Sequence, residues 1–404
     1  METAIAPKSI DYSRNVYKLY VFQFLISFQL WIPIFTLFLQ QERGISMAMI
    51  ATMEGLAWIV AALSEVPTGA LADKKGRKVS LIVGGFLLGP VIMLYGIVDY
   101  FPMLLLLHLL WNAFASFISG ADSALLYDSL KASGRAGEYS RFIGRQMAIL
   151  QFSGGCAGLL GAWLAKFWMP LPFVLTGLSI CLAGLVASTL KEPPVHAPDE
   201  VPAERMPYVA SIKYAVGFVW NLPLLRNLML LYSFLTITPF FFTFLSVQPY
   251  IQTARLDIVW LGPIFLALRG AAIAGSMASH RISAAVGKKL MLYGLPLTFI
   301  ALLSLLSFVP VLAGLGLLLL LNFAWSAGRP FWNAMLNDFL PSAQRATLLS
   351  LQSLLQTLIL GIFVPFMGHV LDRYGFFTVS ISTALLTAVA ALLLLQKIRR
   401  SDLS

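Results

Sequence analysis

Apolar residues in this chain neither alternate nor confine themselves to one helical face. They run in long blocks separated by short polar or charged turns. A helix that crosses roughly 30 Å of hydrocarbon at about 1.5 Å per residue needs about 20 such residues, which is the length of these blocks. Twelve of them begin at Tyr17, Met47, Val79, Met103, Ile143, Leu171, Leu225, Ile258, Leu290, Val311, Ala346 and Phe376, and they predict twelve membrane-spanning helices, numbered here as spans 1 to 12. One connection differs from the rest. Lys191 to Arg205 is polar and proline-rich, a linker pattern, and Met206 to Trp220 is less polar, which predicts an amphipathic surface helix before span 7. The expected organisation is an all-α membrane protein with six-helix bundles over 1–190 and 221–404, joined by a cytoplasmic linker over 191–220.

Composition removes the soluble alternatives. With 59% hydrophobic and 11% charged residues and a mean hydropathy of +0.82, the chain has more apolar surface than a soluble core could cover, so lipid is its solvent. The net charge of +10 does not point to nucleic acid, because the cations follow the membrane. If both ends lie inside, 22 of the 28 Lys and Arg fall in cytoplasmic segments, four (Arg43, Lys166, Arg255, Arg373) in outer loops and two within spans. This positive-inside bias places Met1 and Ser404 in the cytoplasm of a cell bounded by a plasma (inner) membrane. The first apolar block runs the length of a span with no small-residue cleavage site behind it, so no signal peptide is expected. Cys156 and Cys181 both fall inside spans and read as packing residues.

The turn between spans 2 and 3 is the densest motif. Glu65 to Lys78 reads Glu-Val-Pro-Thr-Gly-Ala-Leu-Ala-Asp-Lys-Lys-Gly-Arg-Lys. Two internal echoes accompany it. Gly69-Ala-Leu-Ala recurs as Gly275-Ser-Met-Ala, an offset of 206, and Ala124-Leu-Leu-Tyr-Asp-Ser-Leu recurs as Ala334-Met-Leu-Asn-Asp-Phe-Leu, an offset of 210. Nearly equal offsets at corresponding helix ends imply a parallel duplication. In the second copy Ser279 stands where Asp73 stands in the first, with Arg281, Lys288 and Lys289 beyond it. In type and spacing, Gly69, Asp73, Gly76, Arg77 and Lys78 resemble the cytoplasmic loop between helices 2 and 3 of the major facilitator superfamily.

That resemblance implies a secondary transporter whose two bundles rock around a central cavity lined by helices 1, 4, 7 and 10. It also implies a gate: Asp73 faces the start of helix 11, where free N–H groups favour negative charge, and Arg77 pairs with Asp128. The alternative reading has these charges anchoring loops in headgroups and water. Charges within spans need a reason of their own, since one near the bilayer centre costs at least about 2.5–3.5 kcal/mol. Arg269, in mid-span 8, would hold an anionic group or set the proton affinity of an acid; structurally it would cap backbone carbonyls. Glu54, in the outer third of span 2, is a candidate proton carrier, unless it reaches the headgroups. Glu65 and Asp122 lie nearer the inner face and fit gate or packing roles. Arg329, beside Pro330, would face Asp122 or snorkel. Gln23, Gln29, Asn112, Tyr232, Asn322 and Trp325 complete a mid-depth polar and aromatic set. His108 is a proton carrier or a hydrogen-bonded structural residue.

Other classes lack their residues. The four histidines are scattered with no metal-ligand spacing, no Gly-Lys-Ser/Thr phosphate loop is present, and a two-half repeat with a gate does not suit a continuous pore. The helix 4 arginine and the helix 5 Gly-Pro pair of the superfamily's proton-coupled drug exporters are missing, so antiport is not implied. The expectation is alternating-access transport of a small organic solute by a monomer without enzymatic activity or cofactor. Efflux of drug-like or metabolic compounds is the first reading, and proton-coupled uptake of an organic anion the second. A transport-dead membrane sensor is the third.

Overall fold

The computed structural model describes residues 12–193, 208–339 and 345–401. All regular structure among them is helical. Helix 1 occupies Ser13–Glu42, helix 2 Met47–Lys75, helix 3 Arg77–Ile97, helix 5 Tyr139–Ala165, helix 6 Leu171–Ser188 and helix 10 Val311–Asp338. Helix 7 covers Pro223–Leu245 and continues as Val247–Gln252. Helix 4 comes in two pieces, Phe101–Ala115 and Ala121–Ala132. Helices 8 and 9 form the run Leu261–Leu306, divided at Gly287, and helices 11 and 12 form Arg345–Ser401, divided at Gly375. Among the described residues, nine runs are long and apolar enough to cross a membrane. Two of these hold two helices each and helix 4 is the broken one, which accounts for the twelve spans. The segment before helix 7 forms the helix Tyr208–Trp220, while residues 206 and 207 of the expected surface helix lie outside the described residues.

The side where helix 1 begins is called proximal and the side where it ends distal; within the second unit the ends of helices 1, 5, 7 and 11 and the starts of helices 2 and 8 lie together on the distal side. Large apolar side chains such as Met277 (78% exposed) and Leu63 (71%) face outward, as lipid-solvated helices require. Helices 1 and 7 do not run straight. Helix 1 breaks after Ser27 and resumes through a 3-10 turn and a π segment at Phe38–Glu42, and helix 7 carries a π segment at Phe240–Leu245. Such bulges concentrate at functional positions.

Contacts divide the chain into two units. The first comprises Met1–Leu30, Leu63–Ala157 and Leu171–Val201, and the second Trp31–Ala62, Gly158–Pro170 and Pro202–Ser404. In the first, helices 3 and 6 cross with backbones in contact: a Cβ on Gly177 would lie 2.4 Å from the Gly89 carbonyl oxygen. Lipid offers no hydrophobic force between helices, so such small-residue contact supplies the packing. Asn15 of helix 1 ties this unit together at its proximal end, donating to Ser129 Oγ (2.9 Å) and the Lys191 carbonyl (2.7 Å). In the second unit Gly275 of helix 8 meets the Phe323 carbonyl of helix 10, and Gln352 of helix 11 donates to Ser233 Oγ of helix 7 at 2.7 Å. This unit includes the distal parts of helices 1, 2 and 5 together with helices 7 to 12.

Candidate functional site

The proximal motif is built at the reversal between helices 2 and 3. Gly76 has φ +101°, a conformation that a side chain would strain, and lets the chain turn within one residue. Arg77 then starts helix 3, and its Nη1 donates to Asp128 and to the Ala124 carbonyl (2.7 Å), as the resemblance implies for that pair. One partner was not expected. Glu192, from the linker, accepts from the backbone N–H of Arg77 (2.9 Å) and of Lys78 (2.7 Å), so its carboxylate caps helix 3. Gly69 faces a cavity of about 380 Å³ that is also lined by Glu65, Thr68, Arg77, Ser116 and Ser119. The side chain of Asp73 and the start of helix 11, its expected target, lie outside the described residues. In the second copy, Ser279 is buried and donates to the Ala327 carbonyl at 2.7 Å, which makes it a helix-packing residue.

The distal ends carry a second set of contacts, all inside the second unit. Fully buried Gln248 of helix 7 accepts from the N–H groups of Thr36 (2.8 Å) and Leu37 (3.1 Å) and donates to the Ile32 carbonyl (3.1 Å), filling the break in helix 1. Asp372, at the end of helix 11, accepts from the N–H groups of Met47 (3.0 Å) and Ala48 (2.8 Å), the first residues of helix 2. Sequence reading missed Asp372, although Gly368-His-Val-Leu-Asp-Arg-Tyr-Gly375 repeats the Gly69, Asp73, Gly76 spacing, and Gly375 also has positive φ (+76°). Glycines close the remaining gaps. A Cβ on Gly55 would lie 3.1 Å from the Gly361 Cα, and one on Gly368 would lie 2.7 Å from the Met47 carbonyl oxygen.

Between helices 5 and 8, Lys166 Nζ donates to Asp257 Oδ2 at 2.8 Å, while Asp257 Oδ1 accepts from the Val259 N–H. The lysine hydrogen bond, helped by that N–H, holds the Asp257 carboxyl below the usual carboxylate range. A lowered folded value means the link contributes fully above the ordinary carboxylate range, about pH 4, and is lost as pH falls through the lowered value. An NMR titration of the Asp257 carboxyl is expected to show this, and Lys166→Ala to move the inflection upward; no movement would remove the link.

Within its helices the first unit also holds a polar chain. Asp122 follows the break in helix 4, where Gly120 adopts φ +77°, and its Oδ2 accepts from Gln146 Nε2 (2.9 Å). Gln146 Nε2 also reaches Gln23 Oε1 (2.8 Å), and Gln23 Nε2 donates to Ser27 Oγ (2.7 Å). Helices 4, 5 and 1 are thus joined through a carboxylate, two amides and a hydroxyl. Gln146 was absent from the sequence candidates because it lies on span 5, outside the cavity-lining helices 1, 4, 7 and 10 that the resemblance implies. Asn112 and Gln29 bond to backbone carbonyls of their own segments, those of His108 (3.0 Å) and Ile26 (3.3 Å). His108 is buried beside Tyr95 and Trp111.

In the second unit, Glu54 is buried and Arg269 half-buried. Asn322 donates to the Leu268 carbonyl (2.8 Å), fastening helix 10 to helix 8 beside Arg269. Tyr232 of helix 7 stacks on Trp325 (5.7 Å, 24°) and Trp332 (5.7 Å, 13°) of helix 10, and its hydroxyl donates to Asn333 Oδ1 at 3.2 Å, with Arg329 at the same hydroxyl. Asp122 and Arg329 belong to different units, and each has neighbours within its own.

The family model described as Major Facilitator Superfamily matches residues 19–362. No curated protein matches the chain. Among solved structures, a variant of the nucleoside transporter NupG is similar with a TM-score of 0.75 at 16% identity, covering 95% of this chain and 99% of its own. A bacterial homologue of the human lysosomal transporter Spinster, inward-facing and occupied, gives 0.74 at 14% identity, with 98% of each chain covered. An auto-inhibited POT family peptide transporter gives 0.69 at 14%, covering 96% of this chain and 97% of that one. The twelve helices, the Gly69 to Lys78 turn and the matched family model lead to one assignment: this chain belongs to the Major Facilitator Superfamily.

Proposed function

We propose that the chain is a secondary active transporter that moves a small organic solute by alternating access, working outward as an exporter, in a plasma (inner) membrane with its proximal side and both termini cytoplasmic. The bundles that rock are 1–190 and 221–404, tied by 191–220. The observation that carries this reading is the distal closure. Distal ends of helices 1, 2 and 5 meet those of helices 7, 8 and 11 through polar caps and bare glycine backbone, beside the aromatic contacts of Phe35 with Phe244 and Trp58 with Phe240, and the caps can part by exchanging their hydrogen bonds for water. Asp73, with Arg77 and Asp128 behind it, is the matching latch on the proximal side, and the Asp122–Gln146–Gln23 chain is the candidate proton site. A second reading, uptake of an organic anion, is favoured by Arg269 and Arg329, the two cations that fall inside spans.

The test is flux in sealed vesicles. Protein carrying Lys166→Cys and Asp257→Cys, treated with a short bifunctional maleimide, is expected to lose at least about tenfold of its saturable solute flux, while the untreated variant keeps it. Flux that ignores the cross-link sinks alternating access, and no flux of any solute leaves the sensor reading. Sensitivity of a deletion strain to added compounds supports export; a growth defect on the solute supports uptake.

A further inference from the structure

We infer that the helix 10 face bearing Trp325, Arg329 and Asn333, with Tyr232 of helix 7 beside it, binds a planar aromatic organic anion and excludes organic cations. This rests on the transport reading and names the solute class for it. Residues 325, 329 and 333 lie four apart, so they form one stripe along the helix. Arg329 and Asn333 are exposed and Trp325 half-buried, although Arg329 stands well within a helix of 28 residues. A guanidinium at such a position faces water or protein in preference to lipid, which identifies the stripe as a wetted face.

The aromatic part is prearranged. Tyr232, 5% exposed, is held between Trp332, which is fully buried behind it, and Trp325, which keeps part of its ring accessible. Arg329 and Asn333 bracket the Tyr232 hydroxyl. One hydroxyl uses a small part of a guanidinium's five donors, and the rest form a fork that matches a carboxylate in two parallel hydrogen bonds. An indole next to that fork offers a flat stacking surface for a ring attached to the carboxylate.

Charge decides between anion and cation. An aromatic pair alone would attract an organic cation. Here the fixed positive charge of Arg329 opposes it, and nothing nearby in the sequence compensates. From residue 221 onward the chain contains no glutamate; of its aspartates, Asp257, Asp338 and Asp372 lie at helix ends or in connections, and Asp402 falls outside the described residues. Both in-span cations, Arg269 and Arg329, belong to this same stretch. Of the acids inside spans, Glu65 and Asp122 belong to the first unit, while Glu54, on helix 2, shares the second unit with Arg329 but lies on a different helix from the stripe.

The experiment uses the full purified chain and three probes with one ring system: 2-naphthoate, its neutral amide and 2-naphthylmethylammonium. Thermal stabilisation and calorimetry are expected to rank the carboxylate first by at least about tenfold, with no binding of the ammonium. Arg329→Gln is expected to weaken carboxylate binding about tenfold or more, and Arg329→Lys to restore part of it by returning the charge without the fork. Trp325→Leu is expected to weaken 2-naphthoate but not hexanoate, which a general loss of structure would not do. Equal binding of the three probes, preference for the ammonium, no binding of the carboxylate, or an unchanged Arg329→Gln would overturn the assignment. Flux that ignores the Lys166→Cys, Asp257→Cys cross-link would instead overturn the transport reading while leaving the binding ranks as measured.

Discussion

Gly368→Leu is expected to abolish transport while leaving the protein folded. A Cβ there would lie 2.7 Å from the Met47 carbonyl oxygen, 2.9 Å from the Ala51 Cβ and 3.0 Å from the Ala48 Cα. Two of these are main-chain atoms that cannot rotate away, so helices 2 and 11 must separate at their distal ends. Separation also removes the bonds of Asp372, one turn further on, to the Met47 and Ala48 N–H groups. Overpacking is worth about 1–3 kcal/mol and loss of a helix cap about 0.5–2 kcal/mol, and each 1.4 kcal/mol is a factor of ten in population. The distal-closed population should therefore fall by roughly ten- to a thousandfold. Ser246, which has no exposed surface, reports the change. With Cys156 and Cys181 replaced by alanine, Ser246→Cys should be alkylated at least about tenfold faster in the Gly368→Leu background. Asp372→Ala should give a smaller change of the same sign. Unaltered labelling together with intact flux would show that these helices do not form a gate.

Gly177→Leu should fail at an earlier stage, in assembly of the first unit. Its Cβ would sit 2.4 Å from the Gly89 carbonyl oxygen, 2.5 Å from Met93 Cγ and 3.0 Å from the Met93 amide nitrogen, and Gly89 faces the Gly177 carbonyl in return. Helices 3 and 6 would have to move apart along their whole crossing, forfeiting the close contact that holds helices together in lipid. The expected result is little folded protein, or a melting temperature lower by roughly 10 °C, from a penalty above the usual overpacking range of about 1–3 kcal/mol. Gly316→Leu is the control, since nothing lies within 4 Å of a Cβ there. Similar losses from the two variants would mean that the helix 3–helix 6 contact is not what the first unit depends on.

The span pattern, the Gly76 reversal and the Arg77–Asp128 contact were legible in the sequence because block length, glycine spacing and charge placement are local signals. The breaks were not. Ser116 to Gly120 reads as a continuation of span 4, yet helix 4 stops at Ala115 and restarts at Ala121, and this places Asp122 in a first turn. Glu192 read as one more charge in a tether; only the folded chain brings its carboxylate to the start of helix 3. Asp372 was legible and overlooked. Equivalent helices of the two halves repeat at offsets near 206, while the Gly-x-x-x-Asp-x-x-Gly pattern relates helices 2 and 11 at an offset of 299. Asp372 aims its carboxylate at the first N–H groups of helix 2, and the resemblance implies the same physics for Asp73.

The meeting of Gly55 and Gly361 has an electrical consequence. Where one main chain rests on another with no side chain between them, a file of water molecules has no room to thread. Protons hop along such files, so the bare-backbone contact denies them a path along this one seam between helices 2 and 11.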